Sequence, residues 1–425
     1  MCIIRLLRTS LFWVIAIAVT TVASGCKGNA NRNSASEHPQ PEAKQSITNK
    51  PLENFQADLL DVAFETATSI PIHPHIKTRS KVQESVVKAC LDLDQPLRAL
   101  DYLQRIDNWR RGVCYADLAL YLAKQGHEDE VQKYLDLANL VAEEGINGVT
   151  DLQEWRSDHI RVKIAQTHAW LGQMQGALRF ETNVEPFEQG KVASIAAMKA
   201  TTDSFEVQMK SLEELTSMGN FDITNNALRA YVQLFNRFYD NEDYRTRVED
   251  KIKSFLNKLP VFLRIELLEE LAGYALEHSD SAKALELMNE SGHMIENQQW
   301  PAEYQIPLIS RVSKVRFRAG DQERARADLE GALAQYDRQY HDIVNIDRAD
   351  VLRQVAQAYH TMGDRENSLL IYKRAIEAGM DNPNSRPRAE DLAATCLSLA
   401  LNSVEPDSEL WARIREIQGG LGHPW

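Results

Sequence analysis

ADVLRQVAQAYHTMGDRENSLLIYKRAIEAGM, residues 349–380, decides the fold. Leu352, Val355, Ala356 and Tyr359 recur at three- and four-residue intervals, which puts them on one stripe of a helix. Gly363 and Asp364 interrupt the stripe, and Ser368, Tyr372 and Ala375 open a second. Glycine ends a helix in the left-handed region without a Cβ penalty, and aspartate just after it caps the next helix. Small Ala356 and Ala375 let two helices approach closely, and the two tyrosines fill the gap that remains. The stretch reads as a helix–turn–helix hairpin.

The same order recurs along the chain. Around Gly320, within 306–337, it is carried by Val312, Ser313, Ala325, Leu329 and Ala332. Around Gly126 it is carried by Tyr115, Leu118, Ala119, Leu122, Leu135 and Ala138, and around Gly172 by Ile164, Ala165 and Ala177. Two further segments keep the order without the glycine. One is Val86, Val87, Cys90, Ala99, Leu103 and Ile106 about Asp94; the other is Leu271, Ala272, Ala275, Ala284 and Met288 about Ser279.

These segments resemble tetratricopeptide repeats, with departures at Arg316 and His168 in the aromatic position and Val131 in place of an alanine. The spacing is mostly longer than the ideal repeat of about 34 residues. The resemblance implies an all-α fold, a right-handed solenoid of antiparallel helix hairpins. Hairpins are expected over 51–190 and 261–425, with degenerate hairpins or a junction over 191–260, where Pro186, Gly190 and Pro260 blur the pattern. Segments 388–401 and 408–418 read as a final hairpin, because Leu392, Ala393 and Cys396 repeat the spacing of Val86, Val87 and Cys90. The tail GGLGHPW is expected to fray unless Trp425 folds back.

The N-terminus carries a different signal. Arg5 and Arg8 precede the apolar run LFWVIAIAVTTVA at 11–23, and Ala23, Ser24 and Gly25 lead into Cys26. That is the order of a secretory signal peptide. The ASGC ending resembles the lipobox of bacterial lipoproteins, although Ala23 stands where the family prefers leucine. The resemblance implies cleavage after residue 25 and acylation of Cys26, with diacylglyceryl and palmitate chains as the anchor. Lys27 then implies sorting to the outer membrane, facing the periplasm. Residues 26–50 hold one large aliphatic, Ile47, and no aromatic, so they read as a disordered tether.

A formal net charge of −13 argues against nonspecific binding to nucleic acid. No phosphate loop, HExxH, GxSxG or CxxC pattern occurs, so neither cofactor nor metal is expected. Cys90, Cys114 and Cys396 fit small buried hydrophobes, with export making a Cys90–Cys114 disulfide chemically possible. Trp109, Trp155, Trp170, Trp300 and Trp411 are dispersed in sequence.

In the tetratricopeptide family the concave groove is lined by first-helix positions. Here these match Lys314, Phe317 and Arg318, and in the next repeat Arg353, Gln357 and His360. Such a groove would hold an extended acidic peptide or a chain terminus. The expected function is a membrane-tethered adaptor that binds a protein or peptide in the cell envelope. The alternative is an exported carbohydrate- or lipid-associated enzyme, or its solute-capturing subunit.

Overall fold

The computed structural model describes residues 46–147, with side chains to residue 144, and residues 154–425. The expected signal peptide, Cys26 and most of the expected tether lie outside the described residues. Among the described residues, no helix is long and apolar enough to cross a membrane.

Among the described residues every regular element is a helix. In chain order they are α1 (Asn54–Ser69), α2 (Ile72–Asp92), α3 (Pro96–Gln104), α4 (Arg110–Lys124), α5 (Glu128–Asn147), α6 (Glu154–Trp170) and α7 (Met174–Glu181). Then come α8 (Lys191–Met198), α9 (Phe205–Ser217), α10 (Phe221–Arg237), α11 (Glu242–Leu256), α12 (Val261–Glu277) and α13 (Ser281–Glu296). The chain ends with α14 (Ala302–Arg318), α15 (Gln322–Gln339), α16 (Asn345–Thr361), α17 (Arg365–Met380), α18 (Ser385–Leu401) and α19 (Ser408–Gly419).

The turns explain the repetition. Asp94, Gly126, Gly172, Ser279, Gly320, Gly363 and Ser403 each take a positive φ, from 52° at Ser403 to 102° at Gly320. At each of them the following N–H reaches back to the carbonyl five residues earlier. Asp364 N donates to Tyr359 O at 3.0 Å and His127 N to Leu122 O at 2.9 Å, and the other five match. This is the Schellman closure, which satisfies carbonyls that a helix end would otherwise orphan. Asp280 and Asp364 then cap the next helix, accepting from Lys283 N at 2.9 Å and Asn367 N at 3.1 Å.

Between the paired helices the expected residues are buried. Ala356, Ala375 and Tyr372 are inaccessible to solvent, as are Ala325 and Leu329. Tyr372 keeps its hydroxyl on Ser398 Oγ at 2.7 Å. Burying an apolar side chain as large as Leu329 contributes roughly 1.5–3 kcal/mol. Arg316, which occupies an aromatic position, is buried too. Its guanidinium reaches Asp328 and the Met288 carbonyl, over Gly292, where any Cβ would lie 2.5 Å from Arg316 Nη2.

The even-numbered helices form a continuous first layer. Each packs on the next, from α2 through α18, and α18 packs back on α2. The odd-numbered helices do not touch one another in this way; long ion pairs bridge several of them, such as Asp61–Arg98 at 2.6 Å and Glu377–Arg413 at 2.7 Å. Helices in mutual contact occupy the shorter circumference, so the even layer is the inner wall of a closed ring.

The solenoid expected of the sequence carries no contact between its first and last helices, and the closure adds one. The final hairpin does not form as expected either: α18 pairs closely with α1 and touches α19 only lightly. Gln56, at the start of α1, donates to Ala400 O at the end of α18, so the two helices run antiparallel. The first helix of the body thus serves as the second helix of the last pair. Buried Leu59, Leu60, Phe64 and Ala67 give α1 an apolar face that demands such a partner. The tail is also held rather than frayed. Ser385 N donates to Pro424 O at 2.8 Å, and Gly422 N to Ser385 Oγ at 3.0 Å.

Within 191–260, α10 and α11 pair as an ordinary hairpin, whereas α8 is only eight residues long. Asn226 ties α10 to the turn before α8 through the carbonyls of Phe187 and Gln189, at 3.2 and 2.8 Å.

Candidate functional site

The inner wall carries the densest chemistry among the described residues. Polar side chains on neighbouring first-layer helices join edge to edge. Glu84 meets Arg110 between α2 and α4, and Asp117 meets Lys163 between α4 and α6. His159 Nδ1 lies 2.7 Å from Glu188, just before α8. Arg229 of α10 stands 3.6 Å from Glu266 and 3.8 Å from Glu270 of α12. Arg311 of α14 pairs back with Glu266 at 3.5 Å and with Glu269. Arg353 of α16 reaches Asp391 of α18 at 3.3 Å.

Crowding on this wall moves several titrations. Burial raises the Glu270 carboxyl to about 7, against the pull of Arg229. Burial likewise raises Asp391 to about 6 and Asp92 to about 7. Burial lowers the Lys314 ammonium to about 8; Glu269 opposes the shift, and Arg311 and Arg318 add to it. Glu84 goes the other way. Burial disfavours its charge, but Lys88 and Arg110 outweigh that and hold it at about 2. Clusters of displaced titrations mark functional surfaces more often than random ones.

The six groove residues do not share one environment. Lys314 and Arg318 lie on α14 with Arg311, one helical turn apart, facing the acidic stripe of α12 rather than an open cationic groove. Phe317 points elsewhere: the Arg326 guanidinium of α15 lies over its ring at 5.2 Å. Arg353 is buried and committed to Asp350 at 2.9 Å and to Asp391. Gln357 donates to Ser398 Oγ at 2.9 Å. His360 is half-buried, its Nδ1 has no hydrogen-bond partner, and burial lowers its basicity with help from Arg365. Helices α14 and α16 both lie in the first layer, and of these six residues Lys314 and Arg318 stand together on one stripe.

All three described cysteines are free and buried. Burial pushes the Cys396 thiol up to about 12 and raises those of Cys90 and Cys114 as well. They pack as apolar groups.

One cluster escaped the sequence reading. Trp109 precedes α4 and Trp155 is the second residue of α6, yet their rings meet edge to face at 5.2 Å. His159 meets Trp109 at 6.1 Å, and the guanidiniums of Arg110 and Arg156 lie over the Trp109 ring at 4.8 and 6.0 Å. The two tryptophans are far apart in sequence, so only the direction of the helices reveals the cluster. Starts meet at Trp109–Trp155, middles at Asp117–Lys163, and ends where Trp170 Nε1 donates to Ala123 O at 3.3 Å. Inner-wall helices are thus parallel, and their starts share one rim.

On the outside, a cleft of about 600 Å³ lies between α15, α17 and α19. Its acids and bases already pair across it, as Arg413 does with Glu377 and Lys373 with Glu409.

No protein-family model and no curated protein matches the chain. A solved structure described as a circular tandem repeat protein with novel repeat topology and enhanced subunit contact surfaces aligns over 86% of this chain and 94% of its own, at 13% identity and a TM-score of 0.24. The ring described above rests on the contacts of this chain alone.

Proposed function

We propose that this protein is an adaptor of the bacterial cell envelope, tethered through acylated Cys26, that holds an extended segment of a partner protein against the inner wall of its helical ring. The observation that carries the reading is the wall itself. Charged groups of both signs stand on parallel helices at repeated heights, and Lys314, Glu270 and Asp391 sit where burial has displaced their titrations. A polar wall already stripped of part of its water and fixed by neighbouring ion pairs costs little further ordering when a peptide docks. Tandem helical pairs commonly serve such binding, though a fold alone does not determine a function.

Lys314 and Arg318 are the wall cations assigned to acidic groups of the partner. Crosslinked recovery of partners from native membranes, comparing wild type with the double variant Lys314→Glu, Arg318→Glu, tests this. Unchanged recovery by the double variant removes the assignment. The tether has a separate test: Cys26→Ser should abolish acyl labelling and block release of the mature N-terminus, and normal labelling and processing would end the lipoprotein reading.

A second reading, capture of a carbohydrate-bearing solute, draws on the meeting of Trp109 and Trp155 at the rim.

A further inference from the structure

The two rims of the ring differ in character. First-layer helices are parallel, so their starts share one rim, and the starts of the outer helices share the other. At the first-layer starts stand Ile72 and Phe221, the first residues of α2 and α10; Trp155, the second of α6; Phe187, just before α8; and Val344 and Ile346, where α16 begins. Each is exposed, from 37% at Ile72 to 50% at Val344. The first turns of α6, α10, α14 and α16 hold one acid each. Lys191, Arg264, Arg348 and Arg386, in the first turns of α8, α12, α16 and α18, offset them. The other rim gathers the negative charge. Glu128, Asp129 and Glu130 open α5, Glu242 and Asp243 open α11, and Asp280, Asp364 and Asp407 cap α13, α17 and α19. Exposed apolar groups on that rim, such as Val207 beside Glu206, sit among these acids.

We infer that the apolar rim docks on the surface of a lipid bilayer, with the acidic rim turned away from it. A protein partner reads a contiguous patch, whereas these side chains stand apart around a hoop. A bilayer is flat and continuous on that scale, so it meets all of them at once. Aromatic rings flanked by cations suit the headgroup boundary, where an apolar body enters and a charged head stays wet. Lys191 lies over the Phe187 ring at 5.7 Å in that manner. An anionic membrane surface repels the acidic rim and so fixes which side lands. The chain that precedes the body is long enough for this. Lys50 N donates to Asp94 O at 3.0 Å, which puts the start of the body at the acidic rim. From there a helix of 17 residues, such as α16, spans about 25 Å to the other rim. Residues 26–45 number twenty and can reach about 65 Å. The orientation takes the acylated Cys26 of the proposed function as its anchor, and draws on neither Lys314 nor Arg318.

Photocrosslinking of the full chain on vesicles tests the orientation. Benzoylphenylalanine replaces Phe221, Val344, Val207 or Leu401, one at a time, and the vesicles are phosphatidylethanolamine with radiolabelled phosphatidylglycerol. Positions 221 and 344, on the apolar rim, should form lipid adducts about five-fold more than positions 207 and 401, on the acidic rim. Adding Phe187→Glu and Ile346→Glu should cut the adducts at position 221 about five-fold with unchanged helical circular dichroism. Equal yields at the two rims, a higher yield at the acidic rim, no lipid adduct at any position, or indifference to the paired substitutions would overturn the inference. Adducts to protein in place of lipid at 221 and 344 in native membranes would do the same. Should the glutamate pair fail to fold, the comparison of the two rims still decides. Acyl labelling of the same samples reads the anchor separately. Labelled Cys26 with equal yields at both rims sinks the docking alone, whereas unlabelled Cys26 with adducts at the apolar rim sinks the anchor alone.

Discussion

Gln56 donates its side-chain amide to the backbone carbonyl of Ala400 at 2.8 Å, joining positions 344 residues apart. The same nitrogen reaches Ser403 Oγ at 3.1 Å, and farther along α1 the Gln418 amide meets Val62 O at 3.4 Å. The contacts of Gln56 hold α1 against the end of α18, and Gln418 ties it to α19 as well. Removing a buried donor leaves its acceptor unsatisfied and costs about 1–3 kcal/mol. Gln56→Ala should therefore lower the urea midpoint by a corresponding amount. Deleting residues 48–70 should go further, exposing Leu59, Leu60 and Phe64 and increasing the radius of gyration in X-ray scattering. An unchanged scattering curve after that deletion would refute the closed ring.

The left-handed turns give a sharper test, because sign as well as size is at stake. Gly363 sits at φ 75°, where an alanine Cβ costs about 1–2 kcal/mol. Gly363→Ala should destabilise by that amount. Ser279 sits at φ 63° and already carries the strain, so Ser279→Gly should be neutral or stabilise by up to about 1 kcal/mol. Chemical denaturation of the pair reads both. If both variants destabilise equally, backbone conformation is not what these positions select.

Glu270 predicts a pH dependence. Its folded-state carboxyl titrates at about 7, above the ordinary 4.5, because burial disfavours its charge. Folding therefore favours its protonated form. The contribution is fully present below about pH 4.5 and is lost as pH rises through 7. Glu270→Gln should change little at pH 4 and stabilise by about 2 kcal/mol at pH 8. Thermal melts of both proteins across that range check it. A variant less stable than wild type at pH 8 would mean that the ion pair with Arg229 outweighs burial.

Arg316 and Gly292 form a coupled pair. A Cβ on Gly292 would meet Arg316 Nη2 at 2.5 Å and push it from the Met288 carbonyl and Asp328. Alanine improves helix propensity by up to about 1 kcal/mol, but displacing a buried guanidinium costs more. Gly292→Ala should destabilise by about 1–3 kcal/mol net. In the background of Arg316→Tyr, the same substitution should cost much less. A double-mutant cycle that shows simple additivity would remove the coupling.

Where the chain's conformation is decided locally, its residues disclose it. Gly126, Gly172, Gly320 and Gly363 sit at turns because the left-handed region favours glycine, and Asp94 and Ser279 were found by the apolar order on either side of them. Closure leaves no such local trace. An apolar stripe on α1 looks the same whether its partner is the next helix or one at the far end of the chain. The inner wall was only half legible for a similar reason. Arg353 on a helix face reads as an available cation until Asp391 is placed beside it. Trp109 and Trp155 read as scattered until the helices are known to run parallel.

Joined ends have a mechanical consequence. An open array stretches and twists like a coil spring, each junction yielding a little on its own. When the last junction is tied to the first, a tilt at one must be absorbed by all the others. Adding or losing a single hairpin would then change the curvature everywhere, so the number of units is fixed by geometry. Whatever enters the hoop meets a frame of set diameter and must itself adapt.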